Sequence, residues 1–237
     1  MCITCLRMNR RNFISFATAG SAAACMWTIN GRPSPAFAST SLSPDEALAR
    51  LKAGNDKFVN APQLCEAGLR EQRADTAGDQ APWATVLTCS DSRVSPELIF
   101  GGVGLGELFV ARNAGNVADT AVLGTIEYGA EHLGSPLVVV LGHQRCGAVE
   151  AACDVVAKHV ELPGSIRQMV DAIVPAAKSQ EGKPGDFVDN TVRENARLNA
   201  VAILAGSEII RELVHVGKVK VAYGRYDLET GVVNFLG

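Results

Sequence analysis

The sequence predicts an α/β fold: a mostly parallel central sheet flanked by helices, with an antiparallel edge strand. Three observations predict it. Short apolar runs at 84–88, 108–111, 137–141 and 219–223 read as strands, the first as a buried one and the third as the clearest. Longer stretches with helical spacing separate them, and strands alternating with helices imply right-handed crossovers and parallel pairing. The last run is followed by the turn Glu229-Thr230-Gly231 and a final edge strand within 227–235.

Each element has its own signal. Ser43-Pro44-Asp45-Glu46 opens the first helix, with Ser as N-cap, Pro at the first helical position and Glu three residues after the cap. That helix runs to about Asn60, with Leu48, Leu51, Asn55 and Phe58 near helical spacing. Residues 61–82 are polar and turn-rich. The run 84–88 is a buried strand that ends at Cys89. Gly101-Gly102-Val103-Gly104-Leu105-Gly106 has the look of a phosphate loop. It lacks the Gly-Lys-Ser/Thr ending and precedes a strand, so it reads as a turn. A helix is expected over 119–133. The clearest strand, 137–141, ends at Gly142-His143, and a helix follows over 146–159. Residues 188–216 form a long helical stretch with a break near Ala205-Gly206.

The chain has 237 residues, 47% hydrophobic and 20% charged, enough for one domain with an ample core. The first 38 residues stand apart as an expected signal peptide. Arg10-Arg11-Asn12-Phe13-Ile14 resembles a twin-arginine signal, an apolar Ala-rich run follows, and Ala36-Phe37-Ala38 offers a cleavage site. The apolar run is too short and too rich in small residues for a membrane span. Residues 39–237 would then be a single domain, periplasmic or otherwise exported by the twin-arginine route. A poor lipobox, Ala22-Ala23-Ala24-Cys25, leaves a lipoprotein as a weaker alternative, and Met8 is a plausible true start. Cleavage would remove four arginines and no acid, leaving 18 bases against 25 acids. An acidic domain with no basic stripe excludes nucleic acid as a partner.

Four cysteines remain after cleavage: Cys65, Cys89, Cys146 and Cys153. An oxidising destination would ordinarily suggest disulfides. The spacing suggests a metal. Cys89 sits in Cys89-Ser90-Asp91-Ser92-Arg93, and His143-Gln144-Arg145-Cys146 lies some fifty residues on. Two thiolates and an imidazole are one ligand short of a closed tetrahedral zinc site, the pattern of a catalytic centre with one open position. Cys89 and His143 each end a strand, where this architecture gathers its ligands. A thiol redox pair is the rival, but residues 39–237 contain no Cys-x-x-Cys. Beside a metal, Arg93 would hold Asp91 ionised. Asp91 would accept a proton from zinc-bound water and orient its lone pair, or would itself fill the fourth position.

These segments together resemble the β-class carbonic anhydrases. The resemblance extends through Gly106-Glu107-Leu108-Phe109-Val110, Arg112-Asn113-Ala114-Gly115-Asn116, Glu127-Tyr128 and Glu131-His132-Leu133-Gly134, over roughly residues 44–237. It implies reversible hydration of carbon dioxide to bicarbonate by zinc-bound hydroxide, with one Zn2+ per chain, in a homodimer or higher homo-oligomer. Cys89, His143 and Cys146 match the family's zinc ligands, and Asp91 and Arg93 its dyad. Gln80 matches a polar residue that in many members reaches substrate across the dimer interface. Phe109 matches an apolar pocket wall, and Gly147 a position whose backbone contacts substrate. Members that shut the site with the residue matching Asp91 carry a Trp three residues before the first zinc Cys. Val86 stands there in this chain, although the matching Arg112 and Tyr223 are present, so an open site is expected. Two alternatives stay open: a carbonyl sulfide or carbon disulfide hydrolase on the same scaffold, and a non-catalytic zinc-binding protein.

Overall fold

The structure, a computed structural model, describes residues 40–61, 72, 73 and 75–237. The expected signal segment, with Arg10, Arg11 and Cys25, and Cys65 further on, lie outside those residues. Helix α1 (Pro44–Asn60) opens on the expected capping box, in which Ser43 Oγ accepts the Glu46 amide and the Glu46 carboxylate accepts the Ser43 amide. Its buried stripe, Ala47, Leu51 and Asn55, faces the sheet.

Five strands make that sheet: β1 (Ala84–Cys89), β2 (Leu108–Asn113), β3 (Leu137–His143), β4 (Lys220–Tyr226) and β5 (Val233–Phe235). Their spatial order is β2-β1-β3-β4-β5, parallel throughout except for the β4–β5 pair. Every residue of β1 and β3 is buried, because helices cover both faces. On one face Ala84, Val86, Leu137, Val139 and Leu141 meet α1 and the short helix α2 (Pro96–Ile99). On the other, Leu87, Val138 and Val140 meet α3 (Thr120–Glu127), α7 (Phe187–Gly206) and α8 (Glu208–His215). The chain leaves β1 towards β2, then returns across β1 to place β3 on its other side. The strand order therefore reverses between β1 and β3, and at such a switch point the carboxyl ends open into a crevice.

Two local differences from the sequence reading have physical causes, and one expected break has a defined cap. The helix expected over 119–133 divides after Glu127 into a π-helical turn (Tyr128–His132). There Gly129 lies so close to the sheet that a Cβ would come within 2.6 Å of Thr85 Oγ1. The segment 160–187, unassigned from sequence, contains α5 (Gly164–Asp171) and α6 (Val174–Gln180). Pro163 and Pro175 look like breakers, but they stand at helix starts, where no backbone donor is needed. The long helical stretch breaks at Ser207, which ends α7 and, through a hydroxyl accepting the Ile210 amide, caps α8. Helix α4 (Gly147–Lys158) begins directly after Cys146.

Asn55 ties α1 to the rest of the domain. Its Nδ2 donates to Ile99 O (3.1 Å) and Gly231 O (2.8 Å), and its Oδ1 accepts the Val233 amide (2.8 Å), the first and last of these bonds buried and the second part-buried. Asn55→Ala leaves three backbone groups without this partner, at about 1–3 kcal/mol for each that water does not reach. The expected outcome is a loss of at least about 2 kcal/mol, read as a lower urea midpoint at fixed protein concentration. An unchanged midpoint would contradict this role.

Candidate metal centre

Cys89 is the last residue of β1 and His143 the last of β3. The two strands are hydrogen-bonded neighbours, with Thr88 level with Leu141, so Cys89 and His143 emerge side by side. After β3 the chain reverses through Arg145, held at φ 54, which returns Cys146 to the same point as N-cap of α4. The ligand atoms of Cys89, His143 and Cys146 all lie within 4.8 Å of one another, and all three residues are buried. The two sulfurs are 3.9 Å apart. Two Zn–S bonds of about 2.3 Å at a tetrahedral angle require about 3.8 Å.

The imidazole is oriented for a metal. With Nδ1–H donating to the Gln144 carbonyl at 2.9 Å, Nε2 carries the lone pair. Nε2 is buried and has no hydrogen-bond partner, beside two thiols. A buried acceptor left this way is costly, and a cation accepting its lone pair removes the cost. The thiols give the same result. Cys89 is pulled well below the ordinary thiol range, chiefly by its hydrogen bond with Cys146, and Cys146 is pushed up by that bond, by burial and by the charge on Cys89. Two thiolates 3.9 Å apart repel by about 4 kcal/mol at an effective dielectric of about 20. A dication between them makes the doubly ionised state stable. The residues therefore fit a metal ion, and two sulfurs with one nitrogen suit zinc.

Asp91 borders this group, its Oδ2 3.8 Å from His143 Nε2. Arg93 grips it with Nε on Oδ1 (2.9 Å), Nη2 on Oδ2 (2.7 Å) and the backbone amide on Oδ1 (2.9 Å). Those bonds hold the carboxyl far below the usual carboxylate range, against the opposing effect of burial. Sequence reasoning gave Arg112 no role at the centre itself. Its Nε donates to Cys89 O (3.0 Å) and its Nη2 to Asp91 O (2.7 Å), which fixes the backbone that carries both residues. A buried amide, Gly115 N–H, also reaches Cys89 Sγ at 3.4 Å. The Arg112-Asn113-Ala114-Gly115-Asn116 run was visible in sequence, but nothing local says that it folds back onto β1.

Gly147 follows Cys146 at the start of α4, and a Cβ there would meet nothing within 4 Å. It is exposed beside the ligands. Gln80 and Phe109 are placed differently. Phe109 pairs with Thr85, four residues upstream of Cys89. Gln80 is exposed beside Gly106, before the strands begin. Both lie towards the amino end of the sheet, so a single chain does not bring them to its own three ligands. Phe109 instead packs against Tyr128 in a tilted ring pair with centroids 6.0 Å apart.

Comparison with known proteins agrees with this geometry. A family model described as carbonic anhydrase matches residues 84–233. The chain is 35% identical over 189 residues to carbonic anhydrase 2 of Mycobacterium tuberculosis, covering 80% of this chain and 91% of that one. Among solved structures, the Coccomyxa β-carbonic anhydrase in complex with acetazolamide superposes with a TM-score of 0.62 at 26% identity, covering 83% of this chain and 87% of that one. The β-carbonic anhydrase CafA of Aspergillus fumigatus gives 0.61 at 26% identity, covering 81% and 89%.

The thiol pair generates a measurable expectation. In metal-free protein at pH 7 the Cys89–Cys146 pair should contribute about one thiolate to the absorbance near 240 nm, because Cys89 is lowered and Cys146 raised, and Cys153, also raised, should add none. The Cys89→Ser, Cys146→Ser double variant should abolish that absorbance. Retention of the signal in the variant would contradict the assignment.

Proposed function

The chain belongs to the β class of the carbonic anhydrase family, and from that premise we propose that it catalyses the reversible hydration of carbon dioxide to bicarbonate and a proton, using one zinc ion per chain held by Cys89, His143 and Cys146. The observation that carries this reading is the buried three-donor group with an ionised carboxylate on its border. Three protein donors leave one tetrahedral position for reactants, as in a catalytic site. Zinc there supplies the Lewis acidity that makes water nucleophilic near neutral pH.

The chain's own residues do the rest. Held so acidic, Asp91 stays ionised through the physiological range. It acts as a hydrogen-bond acceptor that orients the attacking water, because a group this acidic is a poor store for a proton. With both oxygens gripped by Arg93, it leaves the fourth position open, and the released proton passes to buffer. Arg112 prevents the Cys89–Asp91 segment from drifting. Gly147 offers substrate an unobstructed helix N-terminus, where backbone amides favour the bicarbonate anion.

Gln80 and Phe109 complete the site in a homodimer, each serving the neighbouring subunit's centre. Their distance from their own ligands supports this, as does the place of Phe109 on the edge strand β2, paired with Tyr128 of the π-helical turn, which is 43% exposed.

Stopped-flow measurement on residues 39–237, with zinc assayed on the same sample, tests the reading. The expected result is one zinc per chain and hydration activity that rises over about pH 6.5–9. Cys89→Ser should lose metal and activity together. Asp91→Asn should keep zinc and lose about 100-fold or more in kcat/KM. Full zinc with no hydration at any pH would overturn the reading. The dimer arrangement predicts complementation: Gln80→Ala mixed with Cys89→Ser should exceed the activity of either parent, since mixed dimers contain one intact site. No gain on mixing would place Gln80 outside the partner's site.

A further inference from the structure

Helix α7 carries two buried asparagines one turn apart, Asn195 and Asn199, on a buried face otherwise made of Thr191, Val192, Ala196, Ala200 and Ile203. Amides on an apolar face compete with the helix backbone and need partners once buried. Their partners lie in the turn after β2. Asn195, 1% exposed, donates from Nδ2 to Gly115 O at 2.8 Å. Its Oδ1 accepts Asn199 Nδ2 at 3.1 Å, and Asn199 Oδ1 accepts the Ala118 amide at 2.7 Å. Both side-chain amides are thereby fixed in orientation.

The turn they grip carries the donor to Cys89. Gly115 N–H points at Cys89 Sγ at 3.4 Å, and Gly115 O is the atom that Asn195 holds. Gly115 adopts φ +82, and a Cβ there would strike Ile173 Cδ1 at 2.4 Å, so only glycine serves. Asn113 closes the turn from the other side, exchanging hydrogen bonds with the Val117 backbone at 2.7 and 2.8 Å. Held at its carbonyl by Asn195 and flanked by the Asn113–Val117 bonds, Gly115 presents its N–H to the Cys89 sulfur.

We infer that Asn195 is a positioning residue for the metal centre: acting through Gly115, it holds an N–H donor against the Cys89 sulfur. The inference rests on the zinc reading above. A hydrogen bond to a ligating sulfur draws charge from it and leaves the metal a stronger Lewis acid, and partners of this kind tune metal sites and orient their ligands. Two thiolates donate heavily, so an amide that withdraws charge from one of them offsets part of that donation.

The test begins with the unsubstituted protein, so it does not depend on a variant folding. In cadmium-113-loaded, nitrogen-15-labelled protein, the Gly115 amide proton should show a coupling to the metal through the Cys89 sulfur. Asn195→Asp keeps the shape of the side chain but replaces the donor with an acceptor. It should abolish that coupling, move the sulfur-to-cobalt charge-transfer band of cobalt-loaded protein to longer wavelength, and weaken zinc binding by about tenfold to 100-fold. Ile203→Val, further along the same buried face, should lower stability without moving the band. Absence of the coupling in the unsubstituted protein, or an unmoved band in Asn195→Asp, would overturn the inference. Coupling present in a zinc protein that hydrates no carbon dioxide would overturn the functional reading alone. Failure of Cys89 to bind metal would overturn both.

Discussion

Two sulfurs and a ring nitrogen, buried within 4.8 Å of one another, set the terms for the rest of this structure. Without a cation the group is unfavourable twice over: a lone pair on His143 goes unused and the second thiol resists ionisation beside the first. With one, both difficulties disappear. Folding and metal binding are thus thermodynamically linked, and ligand protonation is part of that linkage.

The parallel sheet answers the demand for convergence. Neighbouring parallel strands deliver their last residues to the same edge, so residues 54 positions apart meet without a long excursion of either. Helix α4 adds the third donor, because the chain reverses at Arg145 and starts its helix at Cys146. Rigidity comes from polar anchors at the strand ends. Arg112 holds the carbonyls of Cys89 and Asp91, Arg93 holds the carboxylate, and Asn195 holds the turn whose amide meets the sulfur. None of these anchors is itself a ligand. They convert a cluster of compatible residue types into a centre with one geometry.

Much of the fold was legible because its signals are local. The capping box at Ser43 and Glu46, the apolar runs that end at Cys89 and His143, and the break just past Gly206 depend on neighbours in sequence. Other elements hid behind conflicting local signals. Pro163 and Pro175 concealed two helices by resembling interruptions, although proline is well tolerated where they stand. The π-helical turn at Tyr128–His132 was invisible because the close approach of Gly129 that accompanies it is to Thr85 on β1, more than forty residues away in sequence.

The sequence by itself determined the donor set, the acid–arginine pair and the class of fold, since each follows from residue types at short spacing and from the periodicity of burial. Tertiary structure alone decided which strands lie side by side, that Arg112 and Asn195 serve the centre, and that Gln80 and Phe109 lie away from their own chain's ligands. Those decisions rest on contacts between residues far apart in the chain. Such contacts are selected by how the whole sheet and its covering helices bury apolar surface and satisfy buried polar groups, and no short window of sequence contains that information.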